Sequence, residues 1–238
     1  MQSIYRIKHK LKNPVVTVGT FDGVHLGHQK IMKTLVDRAK AIEGVSVVIT
    51  YHPHPLEILN NVHFPYLLTE KIKKEKFLTK IGIDYVLWLD FNSELAELTA
   101  KNFIKEYFVE KLSSKEIIVG YDWHFGKNRD GDYHLLKKYE KLYDYKTDIV
   151  KEVRINNGIV SSTKIREYIK TGELDSAINM LGRNYSIMGK VVQGDKIGRQ
   201  LGFPTINLEP IESRKLLPQS GVYLTKTKLS EKRNNRKN

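Results

Sequence analysis

The sequence predicts an α/β protein built on a doubly wound parallel sheet, and three observations support that prediction. Short apolar segments alternate with longer segments of helical spacing up to about residue 183, an order that is typical of parallel strands covered by helices on both faces. Residues 45–50 are almost continuously apolar, as expected for a strand buried on both sides. The polar motifs fall just after strand segments, and such sheets bind ligands at the carboxyl ends of their strands.

The individual elements follow from hydrophobic spacing. The first strand begins at Val15, and the helix behind it is indicated by Ile31, Leu35, Ala39 and Ile42, which recur at helical spacing. Further strands are expected at residues 45–50, 85–89, 117–119 and about 148–153. Further helices are expected at residues 70–81, 100–112, 133–143 and 173–181.

Composition limits the class of protein. The 238 residues are 40% hydrophobic, enough to bury one good core and part of a second. No apolar run is long enough to span a membrane, and the first eight residues lack the apolar core of a signal peptide. The absence of cysteine fits a reducing compartment and excludes thiol catalysis and disulfides. We therefore expect a cytoplasmic protein.

The formal net charge of +13 raises the question of a nucleic-acid partner, because basic surfaces gain affinity by releasing counterions from phosphate backbones. The basic residues are scattered, however, and their only dense run is at residues 226–237. No signature of a nucleic-acid-binding fold accompanies them. The charge is better suited to steering small anionic nucleotides, so a nucleic-acid partner is not expected.

The segment after the first strand has the features of a phosphate-binding turn. Gly19 and Gly23 make the turn, and His25, Gly27 and His28 reach the start of the helix. A helix N-terminus offers unpaired N–H groups and a partial positive charge, and glycine lets an oxyanion approach the main chain. The two histidines add N–H donors for charge that develops at phosphorus. The alternatives are a zinc pair, which would need a third ligand without cysteine, and a glycine-rich turn with exposed histidines.

Residues 19–28, Gly-Thr-Phe-Asp-Gly-Val-His-Leu-Gly-His, resemble the adenylyltransferase signature of the bacterial riboflavin kinase/FAD synthetase family. That family lies within the nucleotidylyltransferase superfamily, and the resemblance implies a sheet of that type and adenylyl transfer from ATP to FMN. It places His25 and His28 on the ATP phosphates, with His28 at the transferred phosphorus. The ATP-binding positions implied in this segment are Gly19, Phe21, Asp22, Gly23, His25, Gly27 and His28.

A second motif, Thr-Tyr-His-Pro-His-Pro at residues 50–55, follows the second predicted strand. Its prolines stiffen a turn, and a rigid loop with histidines and an aromatic ring suits a flat ligand. The motif is similar to the family's Thr-Phe-x-Pro-His-Pro segment on the flavin side of the cleft. The resemblance therefore implies FMN contacts from Pro53 and His54, with a purely structural turn as the alternative.

A third motif spans residues 119–132. It is not a Walker A loop, because five residues separate its first glycine from the Gly-Lys pair and asparagine follows that pair. Residues 119–127 are similar to the family's Val-Gly-x-Asp-Phe-x-Phe-Gly-Lys motif. That resemblance implies a polar contact from Asp122 to the flavin ring and packing of Phe125 against the flavin. Alternatively, the aromatic residues are ordinary core and Asp122 caps a turn.

A fourth motif, Val-Ser-Ser-Thr-Lys-Ile-Arg at residues 160–166, begins another helix. Serine and threonine before an apolar periodic run are ordinary N-caps. Thr163 and Arg166 are three residues apart, however, and a shared helical face would place a hydroxyl and a guanidinium around one phosphate. The family carries the same Ser-Ser-Thr-x-Ile-Arg segment, and the resemblance assigns Ser162, Thr163 and Arg166 to the ATP phosphates opposite the histidines.

The sequence changes character near residue 183, which divides a first domain, 1–183, from a second segment, 184–238. Residues 185–192 alternate like a strand, and residues 194–208 resemble the opening of the family's riboflavin kinase module. The resemblance makes Thr205 and Asn207 remnant positions for ATP and magnesium. The match stops after Tyr223, and about fifty residues cannot close a barrel. We expect an incomplete β module without kinase activity.

The resemblance implies an FMN adenylyltransferase, an FAD synthase that converts ATP and FMN to FAD and pyrophosphate with Mg²⁺. The FMN phosphate is already an anionic nucleophile, so positioning and charge stabilisation suffice. The catalytic candidates are His28, His25 and Arg166, and no metal ligands are assigned in the first domain. The alternatives are transfer to another phosphorylated acceptor and a flavin-sensing or nucleic-acid-binding regulator without turnover. A homo-oligomer stays open, and no membrane partner is expected.

Overall fold

A six-stranded sheet forms the centre of the fold. The computed structural model describes residues 1–7, 9–59, 66–195, 197–203 and 205–229. The strands of the sheet are β1 (Gln2–Ile4), β2 (Pro14–Val18), β3 (Val45–His52), β4 (Tyr85–Asp90), β5 (Glu116–Gly120) and β6 (Lys146–Val150). They lie in the order β1-β4-β3-β2-β5-β6, and every neighbouring pair is parallel. This confirms the predicted doubly wound parallel sheet.

The order of the strands creates a crevice beside β2. From β2 the chain builds outward through β3 and β4 on one side, then crosses to β5 and β6 on the other. A switch of this kind opens a gap at the carboxyl ends of the two central strands, where loops diverge to opposite sides. Residues 19–28 leave the carboxyl end of β2 at that gap.

Helices cover the sheet and extend beyond it. The α-helices are α1 (Leu26–Ala41), α2 (Pro55–Leu59), α3 (Lys71–Ile81), α4 (Ser93–Ala96), α5 (Ala100–Phe103), α6 (Tyr133–Tyr143), α7 (Ser162–Lys170), α8 (Leu174–Leu181) and α9 (Ile197–Gln200). A π-helical segment, Ile104–Lys111, continues α5, and a 3₁₀ turn covers Lys127–Arg129. None of the helices in the described part of the chain has the length and hydrophobicity to cross a membrane.

Both faces of the sheet are buried. Val15 and Val16 are adjacent in β2, and each is fully buried in a different core cluster, because successive strand side chains point to opposite faces. One cluster joins the sheet to α1 and α3, with Leu35 and Leu78 at its centre. The other joins it to the π-helical segment and α6, through Phe108 and Leu136. The two layers fix the loops at the carboxyl ends of the strands.

A third core cluster lies apart from these two. It is formed by the apolar sides of α7 and α8, including Ile165 and Leu181, together with Leu68 from the segment before α3. Leu216, from the C-terminal segment, is buried in the same cluster and is 3% exposed. The proposed boundary at residue 183 is therefore crossed by packing contacts.

The C-terminal segment contains a two-stranded antiparallel ribbon. It pairs β9 (Gly189–Val192) with β10 (Asn207–Pro210), and most of its residues are exposed. Asn207 lies over Gly194, since a side chain added at that glycine would collide with the Asn207 amide. Thr205 is exposed, whereas Pro204, Lys196 and residues 230–238 lie outside the described part of the chain.

The predicted elements agree with the structure most closely where a polar cap reinforces the apolar pattern. The helix expected at 133–143 is α6, which Asp132 caps at its start and Asp144 ends in a left-handed conformation. The strand expected at 148–153 was misplaced, because β6 begins at Lys146, directly after that helix ends. Only 189–192 of the strand expected at 185–192 forms. The Tyr185 hydroxyl instead donates to the Leu216 carbonyl, and the Met188 N–H donates to Glu70. The sequence did not predict β1 or the short hairpin of β7 (Arg154–Ile155) and β8 (Gly158–Ile159).

Candidate active site

The loop between β2 and α1 adopts an unusual backbone conformation. Phe21, Gly23 and Val24 have φ angles of 45°, 90° and 40°. A left-handed conformation is uncommon for a phenylalanine and an outlier for a β-branched valine, so it persists only where the surroundings enforce it. Phe21 and Val24 are both buried, and Gly19 ties the start of the loop to β3 through its N–H and the Ile49 carbonyl (3.1 Å).

Arg183 holds this conformation from outside the loop. Its Nη2 donates to the Gly23 carbonyl at 2.5 Å and its Nη1 to the Val24 carbonyl at 3.1 Å. Its guanidinium lies over the Phe77 ring at 4.0 Å. Gln29 adds a second donor to the Val24 carbonyl at 2.9 Å. Sequence reasoning did not identify Arg183, because it lies 159 positions from Val24 and belongs to no local motif.

The two histidines stack on one another at the start of α1. Their ring centroids are 3.5 Å apart at an angle of 19°, and the Phe21 ring meets His28 edge-on at 5.2 Å. His25 is the N-cap, and its Nδ1 accepts from the His28 backbone N–H at 3.3 Å. Gly27 permits this packing, since a Cβ there would lie 3.1 Å from the His25 ring.

Burial keeps both imidazoles neutral. It lowers the pKa of His25 from 6.5 to about 4, although Asp22 acts in the opposite direction. Burial also lowers the pKa of His28 well below its ordinary value, and the neighbouring His25 and Lys74 add to the effect. Because Nδ1 of His25 accepts a hydrogen bond, its proton is on Nε2. His25 is therefore a neutral N–H donor. In this form it can donate a hydrogen bond to a phosphate oxygen.

Asp22 ties the loop to two other parts of the chain. Its carboxylate accepts from the backbone N–H groups of Leu68 and Thr69 at 3.0 Å and from Nη2 of Arg166. Its backbone carbonyl accepts from the Ser162 hydroxyl at 2.7 Å. The side chain is 2% exposed, so Asp22 works as a buried junction between the loop, residues 68–69 and α7.

Arg166 is fixed by two of its three guanidinium nitrogens. Nη2 donates to Asp22, and Nε donates to the Tyr66 carbonyl at 2.8 Å. Nη1 takes part in neither contact.

The neighbouring predicted residues have different surroundings. The Ser162 hydroxyl donates to the Asp22 carbonyl, whereas Thr163 is exposed in the first turn of α7. The N-cap of α7 is Ser161, whose hydroxyl accepts from the Lys164 N–H at 3.2 Å.

Lys74 is a further charged residue beside the loop. It lies on α3, is 6% exposed, and its Nζ donates to the Thr20 carbonyl at 2.6 Å. Burial lowers its pKa from 10.5 to about 8, with Asp22 opposing the shift. Local sequence pattern does not identify this role, because the helix carries several lysines and only the fold shows which one lies beside the loop.

The proline-histidine motif lies on the same side of the sheet. The His52–Pro53 peptide bond is cis. His54 is 9% exposed. Its ring Nδ1 accepts from the Leu56 N–H at 3.2 Å, and its backbone N–H donates to the Glu57 carboxylate at 3.1 Å. Burial lowers the pKa of His54 to about 4, and the charges of Asp22, Arg166 and Lys74 also act on it. The structure thus brings His54 near the loop between β2 and α1, which carries His25.

The third motif separates its two predicted flavin residues. Asp122 is exposed, and its backbone carbonyl contacts the His124 ring at 3.0 Å. Phe125 is 6% exposed and packs in the core against Phe103. Trp123 stacks on Phe125 with centroids 4.3 Å apart and remains half-buried. Phe125 is therefore a core residue that supports Trp123, whose ring remains partly accessible.

Within the described residues, no group of three or more histidine, aspartate or glutamate side chains is arranged to hold a metal ion. Thr205 and Asn207, the remnant positions, lie on or beside the exposed ribbon.

Comparison with known proteins identifies the family. Residues 7–164 match the family described as FAD synthetase. The chain belongs to the FAD synthetase family. Residues 181–236 match a second family, riboflavin kinase. Together these matches make the protein an enzyme of the nucleotidyltransferase class with a short riboflavin-kinase-related segment behind it.

Curated relatives agree with this assignment, and a solved structure has a similar fold. A bifunctional riboflavin kinase/FMN adenylyltransferase of Buchnera aphidicola subsp. Schizaphis graminum is 40% identical over 228 residues, which are 95% of this chain and 72% of the relative. The protein of that description from Escherichia coli strain K12 is 36% identical over 88% of this chain and 66% of its own length. A crystal structure from Streptococcus pneumoniae, described as a macrolide-efflux protein, superposes with a TM-score of 0.82 at 32% identity, covering 93% of this chain and 72% of that one.

Proposed function

We propose that this chain transfers the adenylyl group of ATP to the phosphate of FMN and releases FAD and pyrophosphate. The observation that carries the proposal is the pair of stacked, neutral histidines at the N-terminus of α1. They lie just beyond the carboxyl end of β2, where a nucleotide phosphate would bind. The family and the names of its relatives favour FMN as the acceptor.

The reaction needs no proton transfer and no covalent intermediate. An oxygen of the FMN phosphate forms a bond to the α-phosphorus of ATP, and the bond from that phosphorus to the bridging oxygen breaks, so the electron pair leaves with pyrophosphate. Negative charge builds on the oxygens around phosphorus. The Nε2–H of His25, the ring of His28 and the N–H groups of α1 would stabilise that charge, which is the main source of rate in such transfers.

Arg166 and Thr163 would hold the leaving pyrophosphate. Arg166 is already oriented by Asp22 and the Tyr66 carbonyl, and Nη1 remains for a phosphate oxygen. Thr163 adds an exposed hydroxyl one turn earlier on α7. On the flavin side we assign Pro53, His54 and Asp122 to FMN, with the Trp123 ring, supported by Phe125, as a flat surface. Mg²⁺ would enter bound to the phosphates of ATP as part of the substrate.

We also propose that the chain does not phosphorylate riboflavin. The described part of the riboflavin-kinase-related segment forms one two-stranded ribbon with both edges unpaired. Thr205 is exposed and Asn207 lies on the edge of that ribbon. An open ribbon does not enclose a substrate, and it cannot hold ATP and riboflavin in a fixed geometry.

A chromatographic assay tests both statements. The purified chain is incubated with ATP and Mg²⁺ and is offered FMN in one reaction and riboflavin in the other, and the flavin products are separated. FAD from FMN without FMN from riboflavin is the expected result. FMN formed from riboflavin would overturn the second statement, and no FAD in the first reaction would overturn the first.

A further inference from the structure

The segment that precedes α3 is bonded on two sides. Toward the loop, the Tyr66 carbonyl accepts from Arg166, and the Leu68 N–H donates to Asp22. Toward the C-terminal segment, the Leu67 N–H donates to the Arg214 carbonyl at 2.8 Å, and the Leu67 carbonyl accepts from the Leu216 N–H at 2.9 Å. Residues 66–68 therefore form a link between the candidate active site and residues 214–216.

Lys215 completes this link. Its Nζ donates to the Leu68 carbonyl at 2.5 Å, so the single Leu68 residue is bonded to Asp22 through its N–H and to Lys215 through its carbonyl. Lys215 is 3% exposed and also pairs with Glu70 at 3.6 Å. Its ammonium group lies 4.1 Å from the centroid of the Tyr185 ring.

Two further contacts fix the position of Lys215. The Tyr185 hydroxyl donates to the Leu216 carbonyl at 2.7 Å. Glu70, the partner of Lys215, accepts from the Met188 N–H at 3.0 Å. Burying a lysine is costly unless it is paired and hydrogen-bonded, and burial lowers the pKa of Lys215 from 10.5 to about 8. Such a residue is expected where its contacts position other groups.

We propose that Lys215 is a positioning residue for adenylyl transfer, acting through Leu68 on the Asp22–Arg166 pair. The C-terminal segment, whatever its own chemistry, then contributes part of the adenylyl-transfer site. This inference rests on the proposed function, because it assigns Arg166 to the ATP phosphates.

The test compares Lys215→Met with Lys226→Met in the full chain. Methionine retains an unbranched apolar stem without the charge, and Lys226 is an exposed lysine of the same segment. We expect Lys215→Met to raise the KM for ATP about tenfold, roughly the effect of one charged hydrogen bond, with the KM for FMN unchanged. Lys215→Arg retains a charged donor, so its KM for ATP should be closer to that of the wild type. The KM of Lys226→Met should equal the wild-type value.

Thermal unfolding and ATP binding by calorimetry accompany the kinetics. If Lys215→Met does not fold, Tyr185→Phe replaces it, because that variant removes only the hydroxyl contact to Leu216. We expect Tyr185→Phe to raise the KM for ATP about threefold, which corresponds to part of the free energy of one neutral hydrogen bond. Unchanged ATP binding and KM in folded variants would overturn the inference. Equal losses for ATP and FMN would also overturn it, since they indicate a general defect in folding.

The wild-type reaction distinguishes failure of the positioning role from failure of the proposed function. If the wild-type chain makes FAD while Lys215→Met behaves identically, the positioning role fails and the proposed function stands. If the wild-type chain makes no FAD, the proposed function fails. The calorimetric comparison of ATP binding then still decides whether Lys215 supports the nucleotide site.

Discussion

Arg166 and Asp22 form a buried ion pair, in which Nη2 of Arg166 lies 2.5 Å from Oδ2 of Asp22 and the side chains are 10% and 2% exposed. The pair joins two motifs that are 144 residues apart in the sequence. Its effect is to fix the guanidinium in one orientation before any substrate binds. A preorganised charge needs no rearrangement during the reaction, which is the condition for efficient stabilisation of a transition state.

Asp22→Asn should destabilise the protein and reduce FAD synthesis. Removing one partner of a buried ion pair leaves the other charge uncompensated, at a cost of about 3–5 kcal/mol. Urea denaturation should therefore show a lower free energy of unfolding, and the double variant Asp22→Asn/Arg166→Met should recover part of it. The exposed Asp37→Asn is the matched control. A double variant less stable than Asp22→Asn would show that the pair is not the cause.

His28→Ala should reduce turnover far more than binding. Loss of one donor to developing charge typically lowers kcat by about 100-fold to 1000-fold. Steady-state kinetics of FAD formation should show this fall, while ATP binding by calorimetry changes little. His134→Ala, an exposed histidine on α6, serves as the control and should match the wild type. A normal kcat in His28→Ala would remove His28 from the transition-state role.

The stability of the protein should fall as pH decreases from 6.5 toward 4. His25 and His54 both have a pKa lowered to about 4 by burial, against 6.5 in the unfolded chain. Between these values the unfolded state binds more protons, so the free energy of unfolding rises with pH in this window. Urea midpoints measured at half-unit steps should show the trend.

A variant identifies the source of that pH dependence. His25→Gln removes one of the three histidines in the described part of the chain whose pKa is lowered by burial, which are His25, His28 and His54. It should reduce the slope of stability against pH between 4 and 6.5, whereas His134→Ala should leave that slope unchanged. The wild-type kcat should show no inflection near pH 6.5, because His25 and His28 are neutral on both sides of that value. An inflection there, lost in His28→Ala, would contradict the neutral assignment.

The predictable part of the fold is the part encoded in local pattern. The central strands and the long helices have continuous or periodic apolar residues, and the Asp132 cap adds a clear start to α6. The short strand β1 has no such pattern and exists because it pairs with β4 at the edge of the sheet. The hairpin of β7 and β8 is too short to show a period.

The same distinction applies to the candidate site. The histidines were predicted because they lie within one motif at a strand–helix junction, and the structure places His25 as the N-cap of α1. The contacts of Arg183 and Lys215 with this region connect residues more than a hundred positions apart. No local pattern encodes such contacts. Phe125 is the opposite case. Its local motif predicted contact with a ligand, but its ring is buried in the core.

Lys74→Met should weaken catalysis through the Thr20 carbonyl. Lys74 lies on the buried side of α3, and its Nζ donates to that carbonyl at 2.6 Å. The Thr20 carbonyl also accepts from the Thr50 hydroxyl at 3.2 Å. Methionine fills similar space but removes the charge beside the histidine loop, so kcat/KM for ATP should fall by about tenfold, as for one hydrogen bond to a charged group.

Lys76→Met provides the comparison for this variant, because Lys76 is an exposed lysine on the same helix. It should retain wild-type kinetics. The pKa of His28 is lowered in part by the charge of Lys74, so Lys74→Met should raise the pKa of His28 measured by NMR titration, a shift that a general loss of packing on α3 does not produce. An unchanged His28 titration together with unchanged kcat/KM would show that Lys74 supports the helix and takes no part in the site.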